Sequence, residues 1–149
     1  MQINEISGKI KKQKESSLII DANGILYEVM IPPVVMNNIE KVKTPNGEIT
    51  LVTYNYYQLD QSKAISMLVG FLNEIEKDFF EQFITVPGLT PKIACRALAL
   101  SFSVIAGAID KGDMFLLATL PGINHKMAKE IIAKLQGKVG KFYLGTERK

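Results

Sequence analysis

One cysteine, one histidine and no apolar run of membrane length set the first limits on this 149-residue chain. The lone Cys95 excludes an intrachain disulfide framework and suits a reducing compartment. It lies in an Ala/Leu-rich stretch, which points to packing rather than nucleophilic chemistry. A single histidine, His125, supports neither a metal-ligand cluster nor a Ser-His-Asp arrangement. No acid cluster suited to two metals is present, so a nuclease or glycosylase reading has little support. No Gly-rich phosphate loop ending in Gly-Lys-Ser/Thr occurs, so ATP hydrolysis is not expected. Without a membrane-length segment or a secretory pattern ahead of the first strand, a cytoplasmic protein is expected. Together these absences predict a non-catalytic protein with no cofactor and no metal.

What the chain does contain is one stretch written twice. Residues 86–94 read V-P-G-L-T-P-K-I-A, and residues 120–128 read L-P-G-I-N-H-K-M-A. Pro87 and Pro121 stop a preceding helix, because proline disfavours helical geometry in the residue before it. Gly88 and Gly122 accept a positive φ or a close-approaching ligand. Leu89 and Ile123 can turn inward and pin the turn. Thr90, with Pro91 behind it, and Asn124 are N-cap residues for a new helix. The product is a tight turn with free backbone N–H groups, a setting that favours anions and phosphate above all. Lys92 and Lys126 stand in the first turn of each following helix, where the dipole prefers acids. A cation at both equivalent places points to an anionic partner. We read the repeat as two helix–hairpin–helix units that hold a nucleic-acid backbone.

Charge is distributed to match. Residues 1–71 carry seven basic and seven acidic side chains, whereas residues 114–149 carry seven basic and two acidic. The basic excess gathers around and after the second turn, where a phosphate-binding face needs it.

The hydrophobic period divides the chain. Residues 1–71 read as five short strands: Ile6–Lys12, Leu18–Asp21, Ile25–Ile31, Ile49–Tyr57 and Ala64–Phe71. Asn23-Gly24 between the second and third is a hairpin signal. Residues 34–39 are ambiguous, with a short helical turn as one option, and residues 58–63 read as a loop. Five strands fit a small barrel, of the oligonucleotide-binding or the SH3-like kind. Tyr54, Tyr56 and Tyr57 are expected in the barrel core or an interface rather than as a base-stacking platform. The run Lys9, Lys11, Lys12, Lys14 suits a protected edge strand and a backbone-tracking strip equally.

Residues 72–137 change to the helical period. Asn73 and Glu76 form a capping-box-like start, followed by an apolar face of Ile75, Phe79, Phe80, Phe83 and Ile84. Further helices are expected over 91–100, 103–111, 114–119 and 125–136, with Gly112 and Gly137 as terminators. Residues 138–149 read as a basic tail, at most partly ordered.

A barrel first and two hairpin units after it resembles the RuvA family of Holliday-junction-binding subunits. The resemblance rests on the opening strand with Gly8, on Gly24–Pro32, on Leu68-Val69-Gly70-Phe71 and on the two hairpins. It implies an α+β protein: a five-stranded OB-fold barrel (1–71), a tandem helix-hairpin-helix domain (72–137) and the tail. It also implies a homotetramer that carries a four-way DNA junction. The phosphate-binding positions carried over are Gly88, Thr90 and Lys92, then Gly122, Asn124 and Lys126. His125 and Lys129, at the start and on the outer face of the last helix, join that set. Thr90 and Asn124 stand where the family's hairpins have a second glycine, so a β-branched Thr90 is expected to hold the first hairpin further from phosphate. Of the family's acidic pin at the junction centre only Asp60 remains. Docking on a RuvB-type motor ATPase is in doubt, because the small domain that docks it has no counterpart here. An alternative keeps the fold but makes the chain an assembly or scaffold protein with weakened DNA binding.

Overall fold

The computed structural model describes residues 2–142. The chain forms two compact units, Met1–Lys77 and Asp78–Lys149. The first holds five strands, β1 (Glu5–Gln13), β2 (Ser17–Ala22), β3 (Ile25–Met30), β4 (Glu48–Asp60) and β5 (Lys63–Phe71). They close into a barrel in the order β1-β2-β3-β5-β4. All pairings are antiparallel except β3 with β5, where Val29 meets Leu68 and Met30 meets Val69. Alternation explains the inside: Ile6 from β1, Leu18 and Ile20 from β2, Val29 from β3 and Leu51 from β4 are all buried. Two short helices, α1 (Pro33–Met36) and α2 (Ile39–Val42), occupy the ambiguous segment and bury Val35 and Ile39.

The β2–β3 turn is the one the Asn-Gly pair predicts. Asn23 and Gly24 have φ of 54° and 85°, the signature of the hairpin turn whose twist matches the strands. The expected loop at 58–63 is not a loop. Strand β4 runs on to Asp60 and β5 resumes at Lys63, with Asp60 opposite Lys63. Only Gln61 and Ser62 turn, at φ of 48° and 65°. Beyond the Tyr56–Met67 pair this two-stranded arm has no third strand beside it. The tyrosines are not in the barrel core, which leaves the interface as the expected role. Thr53 takes the inward position and donates its hydroxyl to the Ile3 carbonyl at 2.6 Å. Strand parity therefore sends Tyr54 and Tyr56 to the other face, half-buried and stacked at 6.3 Å, whereas Tyr57 shares the parity of Thr53 but lies on the two-stranded arm and is exposed.

Helix α3 (Glu74–Phe83) starts as its sequence predicts. Asn73 Oδ1 accepts the Glu76 N–H at 2.9 Å, and Glu76 reaches back to accept the Leu72 N–H at 2.8 Å. Ile75 is the exception on the apolar stripe: it is 64% exposed, because the stripe continues one turn past the phenylalanine core. Burial raises the pKa of Glu76, and the Leu72 hydrogen bond opposes this only in part. A raised folded-state pKa means a contribution present at low pH and lost as pH climbs through the shifted value. Glu76→Gln keeps an acceptor for Leu72 without the buried charge. The variant should therefore melt higher than the parent at pH 7, and the gap should close below about pH 4. Thermal melts across that range test this; a constant gap would contradict it.

In the second unit, α4 (Pro91–Ala97), α5 (Phe102–Lys111), α6 (Met114–Leu117) and α7 (His125–Leu135) follow α3. Phe79 is the hub: it stacks on Phe83 at 5.6 Å and receives Phe102 and Phe142 edge-on at 5.6 and 5.2 Å. Ser101, Asp113 and Gly112 terminate or start helices through side-chain caps and a left-handed C-cap. Val139 and Phe142 are buried, so the first residues of the expected tail belong to this core. Residues 143–149 of that tail lie outside the described residues. Among the described residues no single helix is long and apolar enough to cross a membrane.

Candidate nucleic-acid interface

The two repeated stretches fold into the same turn. Val86 and Leu120 are buried, and their carbonyls accept the N–H groups of Leu89 and Ile123, each at 3.1 Å. Gly88 and Gly122 have φ of 89° and 77°. Proline followed by a left-handed glycine, closed by a bond from the first residue to the fourth, is a type II turn. Leu89 and Ile123 are buried anchors. The match extends outward: Thr85 and Thr119, just ahead of the turns, donate their hydroxyls to the Gln82 and Leu116 carbonyls, both at 2.6 Å.

Each turn runs into a capped helix. Thr90 Oγ1 accepts the Ile93 N–H at 3.3 Å, and Asn124 Oδ1 accepts the Met127 N–H at 2.8 Å. Thr90 has φ −68° and Asn124 has φ −97°. Both are extended, so neither position needs the left-handed geometry that disfavours threonine. Backbone geometry therefore gives no ground for holding the first hairpin further from phosphate: a second glycine there would serve closeness of approach, not backbone conformation.

Gly88, Thr90, Lys92, Gly122, Asn124, His125, Lys126 and Lys129 are all exposed. Among the described residues the N–H groups of Gly88, Thr90 and Lys92 donate to nothing, nor do those of Gly122, Asn124, His125 and Lys126. A Cβ placed on Gly122 would lie 3.7 Å from Ile93 Cγ2, so the second turn sits beside the start of α4. Lys92 and Arg96 lie one turn apart on α4, and Lys126 and Lys129 lie at the start of α7. None of the four makes an ion pair among the described residues. Unbonded amides with unpaired cations beside them suit an anion such as a phosphodiester.

Other features offer less. Burial pushes the Cys95 thiol up to about 12 against the opposing charge of Arg96, so it stays protonated and inert. Among the described residues no cluster of His, Cys, Asp and Glu suits a metal. A cleft of about 570 Å³ in the barrel unit mixes Lys9 with Asp21 and Glu48. Such a mixed lining does not attract a polyanion. Asp60 is exposed at the end of the β4–β5 arm, facing Lys63 across the strands.

One residue of this surface escaped the sequence. Phe115 on α6 is 76% exposed, and its ring meets that of His125 edge-on at 6.2 Å. It is hidden in the run Met114-Phe115-Leu116-Leu117, which reads as uniformly apolar core.

The chain as a whole is similar to known proteins. The RuvA N terminal domain family matches residues 3–63. A Holliday junction branch migration complex subunit RuvA from Desulforapulum autotrophicum is 35% identical over 97% of this chain and 66% of its own length. Its counterpart in Desulfosudis oleivorans is 36% identical over 94% of this chain and 67% of its own. That of Borrelia turicatae is 35% identical, with 93% and 67% covered. The chain thus spans about two thirds of the length of these relatives.

Proposed function

This chain belongs to the RuvA family, and from that premise we propose that it is a non-catalytic subunit that binds four-way DNA junctions through backbone phosphates. The reading rests on the paired turns, whose unbonded amides each stand beside a lysine. Gly88, Thr90, Lys92, Gly122, Asn124, His125, Lys126 and Lys129 are the phosphate-contacting set. Four copies form a homotetramer, each meeting one arm, and Asp60 sits near the crossover. The protein works in the cytoplasm, in recombination and repair, and a separate RuvB-type ATPase supplies the energy for branch migration. Electrophoretic shift of junction, linear duplex and single strand at one salt concentration tests the specificity. Junction must bind tightest; equal affinity for duplex would remove the junction claim. Sedimentation of the free protein tests the tetramer.

Lys92→Ala combined with Lys126→Ala should weaken binding on every sequence. The slope of log affinity against log salt should shrink by roughly 0.9 for each phosphate that is no longer neutralised. An unchanged slope would remove these lysines from the phosphate-contacting set.

A scaffold reading draws on the arm, whose tip pairs one acid with one lysine and so carries no net repulsion toward phosphate. Under that reading the chain assembles normally and binds junction no better than duplex.

A further inference from the structure

Aligned through the matching threonine bonds, the two turn units differ in character at an exposed place just ahead of the turns. Thr85 and Thr119 occupy equal positions, each bonded three residues back to Gln82 and Leu116. The residues before those are Glu81 and Phe115, both exposed. Just after the turns, the positions ahead of Lys92 and Lys126 hold Pro91 and His125. The first unit therefore shows an acid where the second shows a phenylalanine, and that phenylalanine meets the imidazole edge-on at 6.2 Å and 85°.

A phenylalanine 76% exposed has a cost in water that its own fold does not remove. Its surroundings select the partner. His125, Lys126 and Lys129 follow on α7, with unbonded amides between the turn and the helix; the nearest acids in sequence are Asp113, capping α6, and Glu130, half-buried on α7. An apolar peptide would want an apolar rim. A ligand that alternates anionic groups with apolar faces fits better, and the deoxyribose-phosphate edge of a DNA minor groove is such a ligand.

We propose that Phe115, braced against His125, packs on deoxyribose in the minor groove beside the phosphate held by the second turn, making that turn the stronger of the two grips. This rests on the junction-binding reading above and adds an apolar contact to it. Removing an apolar contact releases no counterions, so affinity and salt dependence should separate.

The test uses the full chain with a four-way junction and a linear duplex of the same arm sequence, titrated across salt. Phe115→Ala should weaken binding roughly tenfold at fixed salt with the slope unchanged. Phe115→Glu, which copies the first unit, should weaken it further, and Glu81→Ala should not weaken it. Circular dichroism melts should be unaltered, because the ring is exposed. Phe115→Ala binding within about twofold of the parent would overturn the proposal. So would a changed sedimentation mass with DNA affinity intact, which would assign the ring to a second copy of the chain. If the parent binds DNA and Lys126→Ala reduces the slope while Phe115→Ala has no effect, only this inference fails. A parent that binds no DNA removes the junction reading itself.

Discussion

Gly8→Ala should destabilise the barrel unit by about 3 kcal/mol, among the larger effects of adding one methyl group. The cause is space. A Cβ on Gly8 lands on the Asp21 carbonyl oxygen, with the carbonyl carbon at 2.8 Å and Ile20 Cγ2 at 3.0 Å. The obstacle is backbone, so no rotamer change relieves it. β1 pairs with β2 on one side and with β4 on the other, where Gly8 faces Ile49. A shift of β1 away from Asp21 therefore disturbs the pairing that closes the barrel. For a unit of this size the destabilisation corresponds to a fall in melting temperature of roughly 12–24 °C. Gly24→Ala is the control: its φ is 85° but nothing lies within 4 Å, so only conformational strain of about 1 kcal/mol is expected. Equal effects from the two substitutions would show that β1 can yield, and that close approach is not what requires glycine at position 8.

The elements most readable from the sequence were those where one residue type has one physical use. Asn23-Gly24 marks its turn because both residues tolerate a positive φ. Pro87-Gly88 and Pro121-Gly122 mark theirs because proline sets one dihedral and glycine frees the next. Asn73, Thr90, Asp113 and Asn124 cap the helices they precede, since a short polar side chain reaches an orphan N–H at small cost. The Gln61-Ser62 turn was not readable. Neither residue favours a positive φ, and the pair adopts it because the paired strands on both sides impose the turn. Parity was the second obscure quantity. Val52 to Tyr57 is β-prone at every position but Asn55, so composition does not say which face is inward. Thr53, itself buried, turns inward with a part-buried bond to Ile3, contributed from a distant part of the chain. Ile75 and Phe115 were obscure for a related reason. Periodicity identifies an apolar side chain but not whether anything covers it. For the candidate interface, residue types and turn geometry were legible, whereas the nearness of Gly122 to Ile93 was a product of tertiary packing alone.

Replacing both turn glycines, Gly88→Ala with Gly122→Ala, should weaken junction binding by about a hundredfold while leaving the second unit folded. Alanine at a φ near +80° costs about 1–2 kcal/mol. A type I turn avoids that cost, because its third residue has a negative φ, and it retains the first-to-fourth hydrogen bond. The Leu89-to-Val86 and Ile123-to-Leu120 bonds at 3.1 Å, and the buried anchors Leu89 and Ile123, can therefore survive. What changes is the middle peptide, which rotates by roughly 180° between the two turn types. The N–H of residue 88 or 122 then points away from its former partner, and the preceding proline carbonyl takes its place. A phosphate oxygen is deprived of a charge-assisted donor and meets an acceptor. One such bond is worth about tenfold in affinity or more, hence about a hundredfold for the pair. The salt slope should change far less than in the lysine variants, since an amide carries no net charge to exchange for counterions. Additivity is itself informative. A methyl at position 122 would rest 3.7 Å from Ile93 Cγ2, within the first turn of the helix that the other hairpin starts. A double variant weaker or stronger than the product of the singles would show that the two turns act as one coupled grip. Parent-like binding in the double variant would mean that these amides do not hold the phosphate.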